Sequence, residues 1–245
     1  MKLFIRETFE DLSRQAATDL TELMQTRKDP LVCVASGDSP AGLYKNLADK
    51  INKSELDISN WYFVGLDEWV GMNGSDEGSC RFHLNNQLFG PWQVANNKIS
   101  FFDGRAKDLK KECTDAETFI LQQGGIDVAI LGLGLNGHVG MNEPGTSPSS
   151  RTHVTALDLI TQQTGQKYFK EQQQLKEGIT LGLATLMEAK YILLLVSGSH
   201  KAAIVKKILE GDISEDVPAS LLRNHPGLRV YLDAEAAKLL HHPRD

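Results

Sequence analysis

Residues 126–145 read IDVAILGLGLNGHVGMNEPG, an apolar run that breaks abruptly into glycines and polar side chains. Apart from Asp127, the first eight residues are apolar throughout, as expected of a strand covered on both faces of a parallel sheet. Asn136, His138, Asn142 and Glu143 follow among the glycines. Such a segment fits a glycine loop cradling phosphate, a catalytic loop carrying a histidine and a carboxylate, or a tight turn.

Similar apolar runs recur at 31–35 (LVCVA), 61–66 (WYFVGL), 98–102 (KISFF), 191–197 (YILLLVS) and 228–232 (LRVYL). Helical patterns lie between them. Pro40–Ile51 has Leu43, Leu47 and Ile51 at helical spacing, and Asp108–Gln122 and Lys201–Glu210 read alike. This alternation predicts an α/β, three-layer Rossmann-like fold with a mostly parallel central sheet. With no linker-like tract and no internal repeat, the 245 residues read as one domain, 1–245. Gly74–Gly78 and Gln172–Lys176 read as surface loops, and KEQQQLKEG (170–178) as a mobile flap or an ordinary exposed loop.

Bulk composition removes several functional classes. The formal charge is −6, which gives no general electrostatic reason to bind nucleic acid. No run approaches the roughly 20 apolar residues of a membrane span, and MKLFIRETFEDLSRQ does not resemble a signal peptide. Cys33, Cys80 and Cys113 are odd in number and far apart, which argues for the reducing cytoplasm and against a thiolate metal site.

In open parallel sheets ligands bind outside the carboxyl ends of the strands. Those ends lead here into SGDSP (36–40), DEW (67–69), GLNGH (134–138) and SGSHK (197–201), four loops expected on one edge. In SGDSP, Ser39 fits an N-cap and Pro40 a first helical position. The free N–H groups of such a helix end suit an anion, although a capped helix alone explains the pattern. A carboxylate such as Asp38 would repel a phosphate, so it should point away or meet a hydroxyl. Asp67 is expected at the end of a buried strand. Desolvation there would raise its pKa and suit it to proton transfer; a capping or ion-pairing role is the alternative. His138 and Glu143 can form a pair in which the carboxylate orients the imidazole. With no HExxH and no third ligand nearby, a metal is not expected, and Gly132, Gly134 and Gly137 do not complete a dinucleotide fingerprint.

Together LDEW, GLGLNGHVGMNEPG, SSRTHV (149–154) and SGSHKAAIV resemble the glucosamine-6-phosphate deaminase and isomerase family, in the same order across nearly the whole chain. LNGHVGMNEPG is the most specific of these. LDEWVG, GITLGL (178–183) and VPASLL (217–222) are similar to galactosamine-6-phosphate isomerases. The resemblance implies opening of a 2-amino-2-deoxyhexose 6-phosphate, proton transfer between C2 and C1, and loss of ammonia, with no cofactor. It implies that Asp67 is the proton-shuttling base and His138 the ring-opening histidine, supported by Glu143 and Asn136. Some members carry aspartate where Asn136 stands; an amide can hold a partner but supplies no charge. Gly37, Asp38, Ser39, Gly137, Lys167 and Lys201 correspond to substrate and phosphate contacts. Lys167 replaces a common arginine and so offers a point charge without a fork.

Two further expectations come from departures and rivals. Members activated by an N-acetylated sugar phosphate carry basic residues after SRT and an aromatic residue near a longer C-terminus; His153, Thr155 and the terminal HHPRD stand here instead. No such activation is expected, and the oligomeric state stays open. The rivals are a 6-phosphogluconolactonase, which needs no carbon-acid base, and a sugar-phosphate-sensing domain of a transcriptional regulator, which would carry an upstream helix-turn-helix.

Overall fold

A computed structural model describes residues 1–241. In chain order the first elements are β1 (Lys2–Arg6), α1 (Phe9–Met24), β2 (Leu31–Val34), α2 (Asp38–Asn52), β3 (Tyr62–Gly65), β4 (Asp67–Trp69) and α3 (Cys80–Leu84). The central part holds β5 (Ile99–Ser100), α4 (Leu109–Gln122), β6 (Val128–Leu131), β7 (His153–Ala156) and α5 (Leu159–Gly165). The last part holds β8 (Glu177–Thr180), α6 (Leu183–Met187), β9 (Tyr191–Val196), α7 (Ala202–Glu210), α8 (Pro218–Leu221), β10 (Leu228–Asp233) and α9 (Ala234–Ala237).

Seven strands form one sheet in the order β1-β10-β9-β6-β2-β3-β5, and every pairing in it is parallel. Side chains alternate between faces along each strand. Leu31, Cys33, Ala129, Leu131, Leu194 and Val196 enter one apolar cluster, with residues of α4, α6 and α7. Val32, Val34, Val128, Ile130, Leu193 and Leu195 enter the other, beneath α1 and α2. Because both faces are covered, the inner strands carry no polar side, which is why they read as continuous apolar runs. The expected three-layer α/β fold is observed.

The chain leaves β2 toward β3 and β5, then returns to place β6 on the other side of β2 before running outward through β9 and β10. The strand order therefore reverses between β2 and β6. This is the switch point where two neighbouring loops part and leave a crevice at the carboxyl edge.

The structure adds elements that the apolar runs did not announce. β1 is a half-exposed edge strand, and α1 buries small and polar residues, Ser13, Ala16, Ala17 and Asp19, beside Leu12 and Leu20. A second sheet, β4-β8-β7, is antiparallel, with Asp67 opposite Thr180 and Thr180 opposite His153. Asp67 thus does not close a buried strand; it opens a three-residue strand that leaves the parallel sheet after Gly65. The cap of α2 is also shifted from expectation: Gly37 is the N-cap, and Ser39 and Pro40 lie within the helix. The segment 170–176 is a loop before β8. Gln166 Nε2 donates to the Gln173 carbonyl at 2.9 Å, Gln173 N–H donates back to Gln166 Oε1 at 2.9 Å, and Leu175 is buried against Trp69 and Met141.

Candidate active site

The loops at the switch point border a cavity of about 540 Å³. Ser39, Asp67, Gly134, His138, Lys167 and Lys201 all line it, so residues spread over the chain converge as the strand ends predicted.

His138 is fixed from behind. Its ring packs on Gly134, where a side chain would collide with the imidazole. Nδ1 lies 2.9 Å from the Thr161 hydroxyl and 3.4 Å from Glu143 Oε2, leaving Nε2 without a protein partner among the described residues. Asn136 Nδ2 donates to Glu143 Oε2 at 2.8 Å, and Asn136 Oδ1 accepts the His138 backbone N–H at 3.2 Å. The amide therefore holds the carboxylate and the backbone rather than the imidazole. Burial alone would raise the Glu143 carboxyl, but its contacts with His138, Thr161 and Asn136 outweigh that and hold it below its ordinary value. Neither Asn136 nor Glu143 borders the cavity; both stand behind the ring. Gly137 does not border it either. Its Cα faces Val217 and Ile204, and its carbonyl accepts the Ala219 N–H at 2.9 Å, which packs the loop against α8.

Asp67 faces the same space as His138. Burial pushes its carboxyl up to about 6, while a contact with the Cys80 thiol and the nearby His138 pull the other way. The next residue, Glu68, is fully buried and accepts three backbone N–H groups at 2.9 Å each, from Trp69, Cys80 and Arg81. It thereby pins the first turn of α3 to β4 and fixes the backbone that presents Asp67. Desolvation raises Glu68 to about 7 against the pull of those three donors.

Two lysines also line the cavity. Lys201 Nζ donates to the Leu133 carbonyl at 2.6 Å, and burial, aided by repulsion from Lys167, lowers it to about 8. Lys167 Nζ pairs with Asp38 Oδ2 at 2.7 Å. Asp38 therefore turns its charge onto a lysine. The turn before α2 is held by Gly37, at φ +95°, and Tyr168 packs directly over it. Among the described residues no group of three His, Cys, Asp or Glu side chains is placed to hold a metal ion.

The glucosamine-6-phosphate isomerases/6-phosphogluconolactonase family profile matches residues 6–231. The chain belongs to this family. Within the family it is 38% identical over 240 residues to glucosamine-6-phosphate deaminase 1 of Bacillus subtilis (strain 168), covering 98% of this chain and 99% of the relative. A solved structure described as a monomeric glucosamine-6-phosphate deaminase superposes with TM-score 0.94 at 38% identity, covering 98% of this chain and all of that one. The 6-phosphogluconolactonase of Trypanosoma brucei shares the fold, with TM-score 0.76 at 19% identity, over 98% of each chain.

Three functional neighbours escaped the sequence. Thr161 and Tyr168 carry no motif, and Glu68, though inside the DEW motif, was passed over beside Asp67: Thr161 sits in a plain helical stretch and Tyr168 beside a lysine. The acidic pair DE followed by a Ser79-capped turn is the one signal that could have singled out Glu68.

Proposed function

We propose that the chain catalyses the isomerising deamination of a 2-amino-2-deoxyhexose 6-phosphate to a ketohexose 6-phosphate and ammonia. The observation that carries this reading is one cavity lined together by Asp67, His138, Lys167 and Lys201. His138 Nε2 takes the O1 proton of the cyclic sugar and returns a proton to the ring oxygen, opening the ring. Glu143 stabilises the imidazolium formed in between. Asp67 then removes the C2 proton, giving an enolamine, and delivers it to C1. The resulting C2 imine adds water and releases ammonia. A carboxyl near pKa 6 suits a proton that must be both taken and returned near neutral pH.

Lys167, Lys201 and the N–H groups opening α2 would hold the 6-phosphate. Glucosamine 6-phosphate is the first candidate because the relatives named above carry that substrate in their names. Galactosamine 6-phosphate, suggested by LDEWVG, GITLGL and VPASLL, is its C4 epimer. The chain is read as one domain, since both sheets contribute to the cavity, and its three free thiols suit the cytoplasm. Among the described residues no helix is long and apolar enough to cross a membrane.

N-acetylglucosamine 6-phosphate is not expected to activate it. Arg151 is committed to Glu188 and Glu117, and His153 Nδ1 lies 2.8 Å from the Arg151 carbonyl. The terminal His242–Asp245 lies outside the described residues. The test is ammonia release from both hexosamine phosphates, beside hydrolysis of 6-phosphogluconolactone. Ammonia from one epimer, on a curve that N-acetylglucosamine 6-phosphate leaves in place, is expected. Lactone hydrolysis without ammonia from either epimer would overturn the reading.

A further inference from the structure

Beside the lysines, the cavity lining contains a donor that no motif assigns. Tyr168 follows Lys167 in the short turn after α5 and borders the cavity. A Cβ built on Gly37 would stand 2.8 Å from the Tyr168 hydroxyl oxygen, so only a glycine admits the phenol onto this turn. The ring is held edge-on by His83, with centroids 5.0 Å apart at 65°. Lys167 Nζ lies 4.8 Å from the centre of the same ring. Among the described residues the hydroxyl proton is donated to no protein acceptor. Burial pushes the phenol above its ordinary value, which keeps it protonated at working pH.

We infer that the Tyr168 hydroxyl is a phosphate ligand, donating to the anion held by Lys167, Lys201 and the turn at Gly37–Ser39. This rests on the sugar-phosphate reading above and adds a specific contact to it. Lys167 is a point charge and is already paired with Asp38, so it cannot supply the two parallel donors of a guanidinium. The neighbouring phenol restores a second, directional donor without adding charge. Its hydroxyl lies against the Gly37 turn, while Lys201 is anchored on the Leu133 carbonyl.

The experiment compares the wild-type enzyme with Tyr168→Phe and with the double variant Lys167→Arg/Tyr168→Phe. Three quantities are read: the inhibition constant of inorganic phosphate, its calorimetric affinity, and KM for the hexosamine 6-phosphate. Phe keeps the ring against His83 and removes only the donor. In Tyr168→Phe the phosphate inhibition constant and KM should rise about ten- to a hundredfold, the worth of one hydrogen bond to a charged group, with the effect on KM rather than kcat. Weak inhibition by unphosphorylated glucosamine should not change. The guanidinium fork in the double variant should recover most of the loss. Unaltered phosphate affinity in Tyr168→Phe, with the wild type inhibited normally, would overturn the assignment while sparing the sugar-phosphate reading. Loss of affinity for glucosamine as much as for phosphate would overturn it too, as a merely structural effect. A wild type that ignores both phosphate and the hexosamine phosphates would overturn the underlying reading and this inference with it.

Discussion

Asp67 is held where an ionised carboxylate is unfavourable, its carboxyl raised from 3.8 to about 6 by burial. Two consequences follow from the sign of that shift. A base must be ionised to take the C2 proton, so kcat/KM should fall on the acid side with an apparent pKa near 6. The folded chain also binds this proton more tightly than the unfolded one, so the residue lowers stability above its folded pKa, and the loss disappears as pH falls below the unfolded value. Asp67→Asn should therefore abolish turnover by about a thousandfold or more, leave inorganic phosphate binding within about twofold of wild type, and raise Tm by a few degrees at pH 8, on the order of what 1 kcal/mol does in a chain of this size. The Tm gain should vanish by about pH 4. Near-normal turnover in the variant would remove the shuttle assignment. Asp67 and His138 were readable because their motifs are long and polar inside apolar surroundings. Thr161, which touches His138, was not, because a threonine on a helix gains a role only from what packs against it.

At the scale of elements, the β4–α3 junction depends on one buried carboxylate. Glu68 accepts three N–H groups on two oxygens, a task that a glutamine cannot share, since its NH2 would face donors. Glu68→Gln should cost about 1–3 kcal/mol, read as a lower urea midpoint at unchanged m-value. It should also lower kcat, because Cys80 and Asp67 sit on the backbone it ties down. An unchanged midpoint would mean that the turn is held by something else. The long helices α2, α4 and α7 were readable to within two residues at each end from spacing alone. The strands β4, β7 and β8 were not, at three or four residues each, because their identity rests on pairing with one another. α1 escaped because its buried stripe is built partly from Ser13, Ala16 and Asp19, which carry little apolar signal; Asp19 is satisfied there by the Tyr231 hydroxyl at 2.6 Å and by Arg229 at 3.0 Å.

At the scale of the molecule, the cavity joins the parallel sheet to the small antiparallel one, so occupancy should stabilise both together. A hexosamine 6-phosphate at about a hundred times its Kd should add about 2.7 kcal/mol, a rise of roughly 5–10 °C in Tm for a chain of this size. One cooperative transition should shift as a whole; two separate transitions, with only one moving, would show that the sheets melt independently.

What could be read along the chain was every property set by neighbours in sequence: apolar runs that must be covered on both faces, helical spacing between them, and polar loops at the strand ends. These follow from local burial periodicity, which each strand carries within its own few residues. Which strands lie side by side was decided by packing. Placing β6 against β2, after the chain has travelled out through β3 and β5, opens the crevice and brings 132–143 beside 36–39. The raised Asp67, the Thr161 contact at His138 and the Tyr168 hydroxyl over Gly37 likewise join groups far apart in the chain. Desolvation and close approach arise from groups distant in sequence, and no local pattern encodes them.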